Sequence, residues 1–509
     1  MEGHRSINRR AFLSAGLVGL TAKAERRIDG SFVNESFPLG HRLRDHKTFR
    51  ASTFPKPIRQ VRAPIVIVGG GIAGLSAAWR LDKLGFRDFV LLEMEPQAGG
   101  NSRWGENEIT RFPWAAHYVP VPGKGESLAR ELFEELGVLQ DGKWNDRALC
   151  FAPQERLFLY GRWQEGIEPE AGMTAADRNQ FRRFDQRMKE YRASDEFTVP
   201  MEPGAKTSAL DKGSMAEWLA RNEFPSKHLR WYVDYACRDD YGALSRDTSA
   251  WAGIHYFASR APDEKGPLTW PEGNGWITRR LLAKLSKYVH TGSVVYRIAR
   301  EGTKVRVFTE DVEYVADAVV FAAPTFLAHY IVEGAPAAGG FQYSPWLTAN
   351  LTLDRMPRER DSEVAWDNVL YDSPALGYVD ATHMSIASRQ ERAVWTYYWS
   401  LAEYRPEQAR ALLLEKDWSY WKEAILNDLS RAHPDLRSCV SRIDIMRMGH
   451  AMVRPAPGFV FSEERQRWLK QQARIYFANS DLSGFSIFEE AQYRGVGAAE
   501  RALKAVTRA

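Results

Sequence analysis

Three glycines, Gly69, Gly71 and Gly74, and an acid at Glu93 carry the plainest chemistry in this 509-residue chain. Glycines at that spacing prepare a pyrophosphate site. The first makes a tight turn, the second lets backbone approach the pyrophosphate, and the third lets a helix pack on its strand. Such a site needs particular elements around it, and the flanking residues supply them. Ile65-Val66-Ile67-Val68 predicts a fully buried parallel strand. Ala73, Leu75, Ala77, Ala78 and Leu81 predict a helix with small residues on its packing side. The free N–H groups of its first turn, that of Ala73 included, and the helix dipole would carry the phosphate charge. After Gly85, Phe89-Val90-Leu91-Leu92 predicts a second strand ending at Glu93, placed to accept hydrogen bonds from an adenosine ribose hydroxyl.

Strand, turn, helix, strand and acid fall in the order a dinucleotide site requires. The following residues, Gly99-Gly100-Asn101-Ser102, resemble the second glycine pair of the flavin amine oxidase superfamily, which lies along the pyrophosphate of FAD. In that family an arginine follows the pair; this chain has Asn101 there and Arg103 two positions later. Further landmarks resemble the same family. Phe112 to Tyr118 sits where its members pass backbone beside the flavin ring, which implicates Ala116 and His117. Gly292 to Ile298 is similar to the strand whose valine backbone pairs with adenine, here Val295. Gly449-His450-Ala451-Met452 resembles the loop that returns over the flavin. At the carboxyl end, a strand through Asp481 and a turn through Ile487 and Phe488 lead into a helix rich in small residues. The resemblance makes these contacts of the flavin ribityl chain and pyrimidine, with Asp481 where the family usually has Glu and Phe488 as backbone donor. Glu489 and Glu490 are read as hydrogen-bonding elements of that turn.

The resemblance implies an α/β protein: a Rossmann-like FAD-binding domain assembled from separated segments, plus an α+β substrate domain with a mixed sheet and flanking helices. The boundaries read as a signal over 1–24, a linker or surface arm over 25–60, FAD-binding segments over 61–120, 246–330 and 446–509, and substrate-domain segments over 121–245 and 331–445. From Leu128 to about Tyr241 the pattern is helical, and the aromatic spacing of Leu229 to Tyr241 suits either core or pocket lining. Length alone favours two large domains. With 69 basic and 65 acidic residues and no basic block, nucleic acid binding has no support. Cys150, Cys237 and Cys439 have no metal-site spacing, so no metal site is expected; buried thiols or a single disulfide both fit.

Ser6-Ile7-Asn8-Arg9-Arg10-Ala11-Phe12-Leu13 resembles a twin-arginine export motif, and Ala22-Lys23-Ala24 fits a small-x-small cleavage site. The apolar run between them has about a dozen residues, too few to span a bilayer. Export by the twin-arginine machinery, a periplasmic or otherwise exported location and no transmembrane anchor follow as expectations.

A flavin accepts a hydride, so such a protein mainly binds, orients and dries its small-molecule substrate. Amine oxidases of the superfamily place a lysine-held water at the flavin and two aromatic side chains around the amine. No lysine occurs here between Lys304 and Lys416, and the two cage positions fall on Ala451 and Ile487. Trp346, Trp395, Tyr397 or Trp399 could replace the cage by stacking on a substrate cation. Amine or polyamine oxidation with oxygen as acceptor leads. Carbon–carbon desaturation or isomerisation, of the carotenoid desaturase or protoporphyrinogen oxidase type, is the alternative, and an FAD-binding protein without catalysis the third reading. His450 and His117 are the acid–base candidates, because imidazole titrates near neutral pH; packing beside the cofactor is the plainer reading of both.

Overall fold

Ile65–Val68 is buried at every residue, because its alternate side chains serve two cores. Ile65 and Ile67 pack with the helices Ile72–Lys83, Gly275–Leu285 and Phe488–Thr507, while Val66 and Val68 face a second apolar cluster around Val305, Val307 and Phe477. The strand is the middle of a five-stranded sheet ordered Val289–His290, Phe89–Leu92, Ile65–Val68, Ala318–Phe321, Ile475–Phe477. Every pairing in it is parallel. These strands come from each of the three expected FAD-binding segments. The computed structural model describes residues 27–508 apart from 35–36, 50–53, 124–126, 203–204, 261–265, 337, 359–361, 386–389 and 471–472. The expected export signal, residues 1–24, lies outside the described residues.

Two glycines lock the helices onto this sheet. A Cβ on Gly74 would sit 1.8 Å from the Gly69 carbonyl oxygen, so only glycine lets the helix approach its own strand turn. A Cβ on Gly495 would sit 2.1 Å from the carbonyl oxygen of Ala73. The last helix therefore lies directly on the first helix of the nucleotide site.

The second unit is an eight-stranded mixed sheet whose centre is the long strand Gln342–Leu353, flanked by Val440–Arg454 and Ala393–Trp399. One face packs on helix Trp418–Leu429 through Trp395 and Trp399. A helical cluster formed by Ala175–Arg192, Met215–Arg221, Lys227–Tyr241 and Ala250–Ala258 completes the substrate side. Cys150, Cys237 and Cys439 are buried thiols, not a disulfide.

Three boundaries need correction. The described residues of 25–60, expected as a linker or surface arm, carry regular structure: Asp29–Phe32 pairs in parallel with Arg442–Ile445, Phe37–Phe49 is a helix, and Arg59–Arg62 pairs with Val312–Val315. The charged side chains of this stretch read as a free arm because an edge strand buries little. The helical reading of Leu128 to Tyr241 misses Glu155–Leu159 and Arg162–Glu165, a hairpin that extends the large sheet. Ala250–Ala258 and Val440–Arg454 belong with the helical cluster and the large sheet, so the segments starting at 246 and 446 begin too early. Among the described residues, no helix is long and apolar enough to cross a membrane.

Candidate functional site

The turn after Ile65–Val68 is shaped around Glu93. The Gly70 N–H donates to Glu93 Oε2 at 2.6 Å and the Glu95 N–H to Oε1 at 2.8 Å. Burial raises the pKa of this carboxylate and the two donors oppose that rise. The second glycine pair lies alongside, with the Gly99 N–H donating to the Gly70 carbonyl at 2.8 Å and Gly71 bridged to Gly99. Gly99 and Gly100 both have positive φ, at 131° and 55°. A Cβ on Gly71 would meet nothing closer than 3.9 Å, so the backbone here is open to a ligand rather than packed against protein.

Whether these residues suit an adenine dinucleotide can be tested on the helix starts. Helices beginning at Ala175, Met215, Lys227 and Ala250 are closed by the hydroxyls of Thr174, Ser214, Ser226 and Ser249. Those beginning at Ile72 and Phe488, which converge on the glycine loops and the central cavity, have no side-chain cap. The same is true of Gly275–Leu285 and of Thr325–Ile331, the latter capped instead by Asp481. The first-turn N–H groups at Ile72 and Phe488 are left for negative charge from outside the protein, and that donor set fits a phosphate and a flavin pyrimidine oxygen. The segments that carry Gly69, Gly71, Ala73 and Gly74, Glu93, and Gly99, Gly100 and Ser102 are held together by hydrogen bonds from backbone N–H groups. Val295 adjoins them through Ser293, whose N–H donates to the Glu93 carbonyl at 2.8 Å. Arg103 is committed elsewhere: it pairs with Glu95 and donates to the Gly100 carbonyl at 3.1 Å.

Asp481 faces inward, away from solvent. Thr325 N–H and the Tyr343 hydroxyl each donate to its Oδ2 at 2.8 Å. It therefore caps the helix Thr325–Ile331, and burial raises its pKa. Glu490 accepts from the Met201 N–H, as an element of the turn.

Beyond the glycine loops opens a cavity of about 540 Å³. Asn101, Ala116, His117, Ala451, Ile487 and Phe488 line it, so most of the residues expected beside the flavin ring share one space. His450 does not. Ser344 pairs with Met452 and Trp346 with Met448, so Gly449, His450 and Ala451 bulge opposite the single residue Pro345. Proline has no N–H to give the ladder, and a bulge is where a sheet tolerates that. The extra residues turn Ala451 inward, its carbonyl accepting from Asn101 Nδ2 at 2.8 Å. They turn His450 outward, stacked on Phe326 at 4.4 Å in a separate cleft. His450 is corrected as an acid–base candidate for this cavity.

His117 stays in the cavity but stacks on Tyr398 at 4.6 Å, its Nδ1 3.2 Å from the Ala115 carbonyl. Burial pushes its pKa down to about 4, so it is neutral at physiological pH. Of the four aromatic candidates one reaches the cavity. Trp346 lines the cavity, but Trp395, Tyr397 and Trp399 point to the opposite face, Trp395 onto Tyr378 at 4.0 Å and the Tyr397 hydroxyl to Asp428 at 2.9 Å. Strand alternation presents Tyr398 instead.

The sequence reading missed an acidic group at this cavity. Asp239, Asp240 and Asp367 line it with Tyr118, Tyr235 and Arg260. Arg260 pairs with Asp240 at 3.0 Å and lies 3.8 Å over the Tyr256 ring. The Tyr235 hydroxyl donates to Asp367 at 3.2 Å and that of Tyr118 to Asp239 at 3.5 Å. Burial and then the charge of Asp240 lift Asp239 to about 7. Burial and then Glu155 hold Asp367 well above the usual carboxylate range. With Asp195 and Glu489 the described lining holds five carboxylates against two arginines, Arg192 and Arg260, which leaves the cavity short of positive charge. The available signal was the Tyr235–Asp239 spacing, which puts both side chains on one helix face. Among the described residues no lysine lines this cavity. Among the described residues no cluster with metal-ligand character occurs.

Comparison with known proteins supplies the family. The family described as flavin containing amine oxidoreductase matches residues 72–503. A Baeyer-Villiger monooxygenase of Penicillium patulum is 29% identical over 154 residues, 30% of this chain and 23% of that protein. The chain thus spans under a quarter of that curated relative. Among solved structures, a cofactor-binding redesign of putrescine oxidase superposes with TM-score 0.70 at 15% identity, covering 88% of this chain and 100% of that one. Cyclohexylamine oxidase from Brevibacterium oxydans gives 0.67 at 14%, covering 88% and 100%. A fatty acid isomerase from P. acnes gives 0.61 at 15%, covering 86% and 98%. At such identities these structures establish the fold.

Proposed function

The chain belongs to the flavin containing amine oxidoreductase family, and from that premise we propose that it is an FAD-dependent oxidase of diamines or polyamines. The observation that carries the substrate class is the acidic lining formed by Asp239, Asp240 and Asp367 in the same cavity as the flavin-side residues Ala116, Ala451 and Ile487. Buried carboxylates with too few cations hold protons at a cost; a protonated amine entering the cavity restores their charge and gains charge-assisted hydrogen bonds. The FAD supplies a two-electron acceptor for the hydride on the carbon beside nitrogen, with oxygen as the final acceptor. The protein's part is to hold the chain of the substrate by its distal cation, so that the amine to be oxidised lies against Ala451 and Ile487. Tyr235 and Tyr118 orient the carboxylates. Neutral His117, fixed on Tyr398, gives that region a flat apolar wall and no added charge. Asn101 holds the Ala451 carbonyl and so fixes the bulge that shapes the wall.

FAD in this reading rests on the uncapped helix starts, the Glu93 carboxylate and the two glycine loops. Export by the twin-arginine route, with action in the periplasm, belongs to the same proposal and rests on Arg9-Arg10 and the residues after them. Anaerobic titration of the purified holoprotein with amines tests it. Putrescine or spermidine should bleach the flavin bands near ~450 nm, and air should return them with hydrogen peroxide and an aldehyde. Flavin that resists every amine sinks the reading. The absence of lysine from the cavity's described lining favours a second reading, carbon–carbon dehydrogenation or isomerisation, and a new conjugated chromophore from an unsaturated substrate would reveal it.

A further inference from the structure

The cleft into which the bulge turns His450 has its own chemistry. It encloses about 920 Å³ at the start of the ten-residue helix Pro406–Glu415, and Arg246, Arg405, Arg410 and Arg454 all line it. Arg454 is the telling member. It is 5% exposed, yet its Nε has no hydrogen-bond partner. Its nearest acid is Asp247, whose Oδ2 lies 3.6 Å away, beyond hydrogen-bond distance and shared with Arg246 Nε at the same 3.6 Å. The other two carboxylates are taken. Glu407 pairs with Arg410 at 3.1 Å, and Glu403 accepts from Trp399 Nε1 at 3.0 Å. Arg405, exposed at the mouth, has no ion-pair partner among the described residues. A buried guanidinium this poorly neutralised is costly unless something else compensates it, and burial accordingly lowers its pKa.

We propose that this cleft binds a soluble multivalent oxyanion, phosphate or polycarboxylate, seated on Arg454 with Arg405 and Arg246 at its mouth. The planar fork of arginine suits two oxygens of either group. The first turn of the helix at Pro406 adds favourable dipole, and the volume leaves room for an organic chain behind the anionic head. The site is separate from the amine cavity: the Gly449–Ala451 bulge lies between them, with His450 on one side and Ala451 on the other.

The test is calorimetric titration of the flavin-loaded protein with inorganic phosphate and, separately, citrate, against sodium chloride at matched ionic strength. Saturable binding of at least one anion, weakened tenfold or more by Arg454→Gln, is the expected result, and the tighter anion names the source. If Arg454→Gln fails to fold, the exposed Arg405→Gln and Arg246→Gln pair decides, with a loss of threefold or more expected. Heats indistinguishable from chloride for both anions, or folded variants that bind as the wild type does, overturn the proposal.

Discussion

Asp239→Asn separates charge recognition from mere cavity shape. Its carboxyl, lifted to about 7, is roughly nine-tenths ionised at pH 8 and roughly one-tenth at pH 6. A hydrogen bond to a charged group is worth about 1.5–3 kcal/mol, so removing the charge should raise KM for a diamine by roughly 10- to 150-fold at pH 8. At pH 6 the wild type has itself lost most of that charge, and the ratio should shrink about tenfold. A monoamine of equal length has no distal cation and should show a ratio near one at both values. Stability should move the other way. A carboxyl whose folded pKa is raised contributes stability that is full below its unfolded pKa of about 3.9 and lost as pH rises through the folded value. Substrate-free Asp239→Asn should therefore melt above the wild type at pH 8 and match it near pH 4. Steady-state kinetics at the two pH values, with peroxide as readout, decide the question. An equal KM ratio at pH 6 and pH 8, or an equal loss with the monoamine, would refute the argument that Asp239 reads charge.

Three further outcomes follow from contacts already described. Gly74→Ala should leave the purified protein colourless, because its Cβ would lie 1.8 Å from the Gly69 carbonyl oxygen; retention of the flavin bands would contradict the packing. Glu93→Gln keeps the shape but turns one amide –NH2 toward a backbone N–H of Gly70 or Glu95. It should weaken FAD by about 1.5–3 kcal/mol, read by titrating the apoprotein with FAD. Tyr343→Phe strips the buried Asp481 of a 2.8 Å donor and should cost about 1–3 kcal/mol in denaturant unfolding, with KM for amines unchanged.

What the sequence made legible was local. Gly69, Gly71, Gly74 and Glu93 lie on one strand–helix–strand unit, so their spacing alone fixes their relative places. Ala116, Ile487 and Phe488 were readable because each sits in a short motif with its own turn. The acidic cavity was not readable, since Asp239 comes from a helix and Asp367 from a strand that meet only in the finished fold. His450 was misplaced for a different reason. The bulge at Pro345 is a property of two strands paired across about a hundred residues, and neither strand shows it alone. Trp395, Tyr397 and Trp399 were misread because alternation gives two faces without saying which one the cavity takes. The arm at Asp29–Phe32 hid for want of an apolar pattern, its pairing being carried by backbone hydrogen bonds to the edge of the large sheet.

The seating of Gly495 on the Ala73 carbonyl also sets an order of events during synthesis. The strand and helix that bear the glycine loop leave the ribosome early, but the helix that covers them is encoded more than four hundred residues later. Until it emerges, Ala73 lacks the helix that seats Gly495 on its carbonyl, and the side of the cavity formed by Ile487 and Phe488 does not exist. Chains stalled or clipped before that helix would be unable to hold flavin firmly, whatever the state of their amino-terminal half. Flavin retention would thus be a readout of whether this helix is in place, available before any substrate is met.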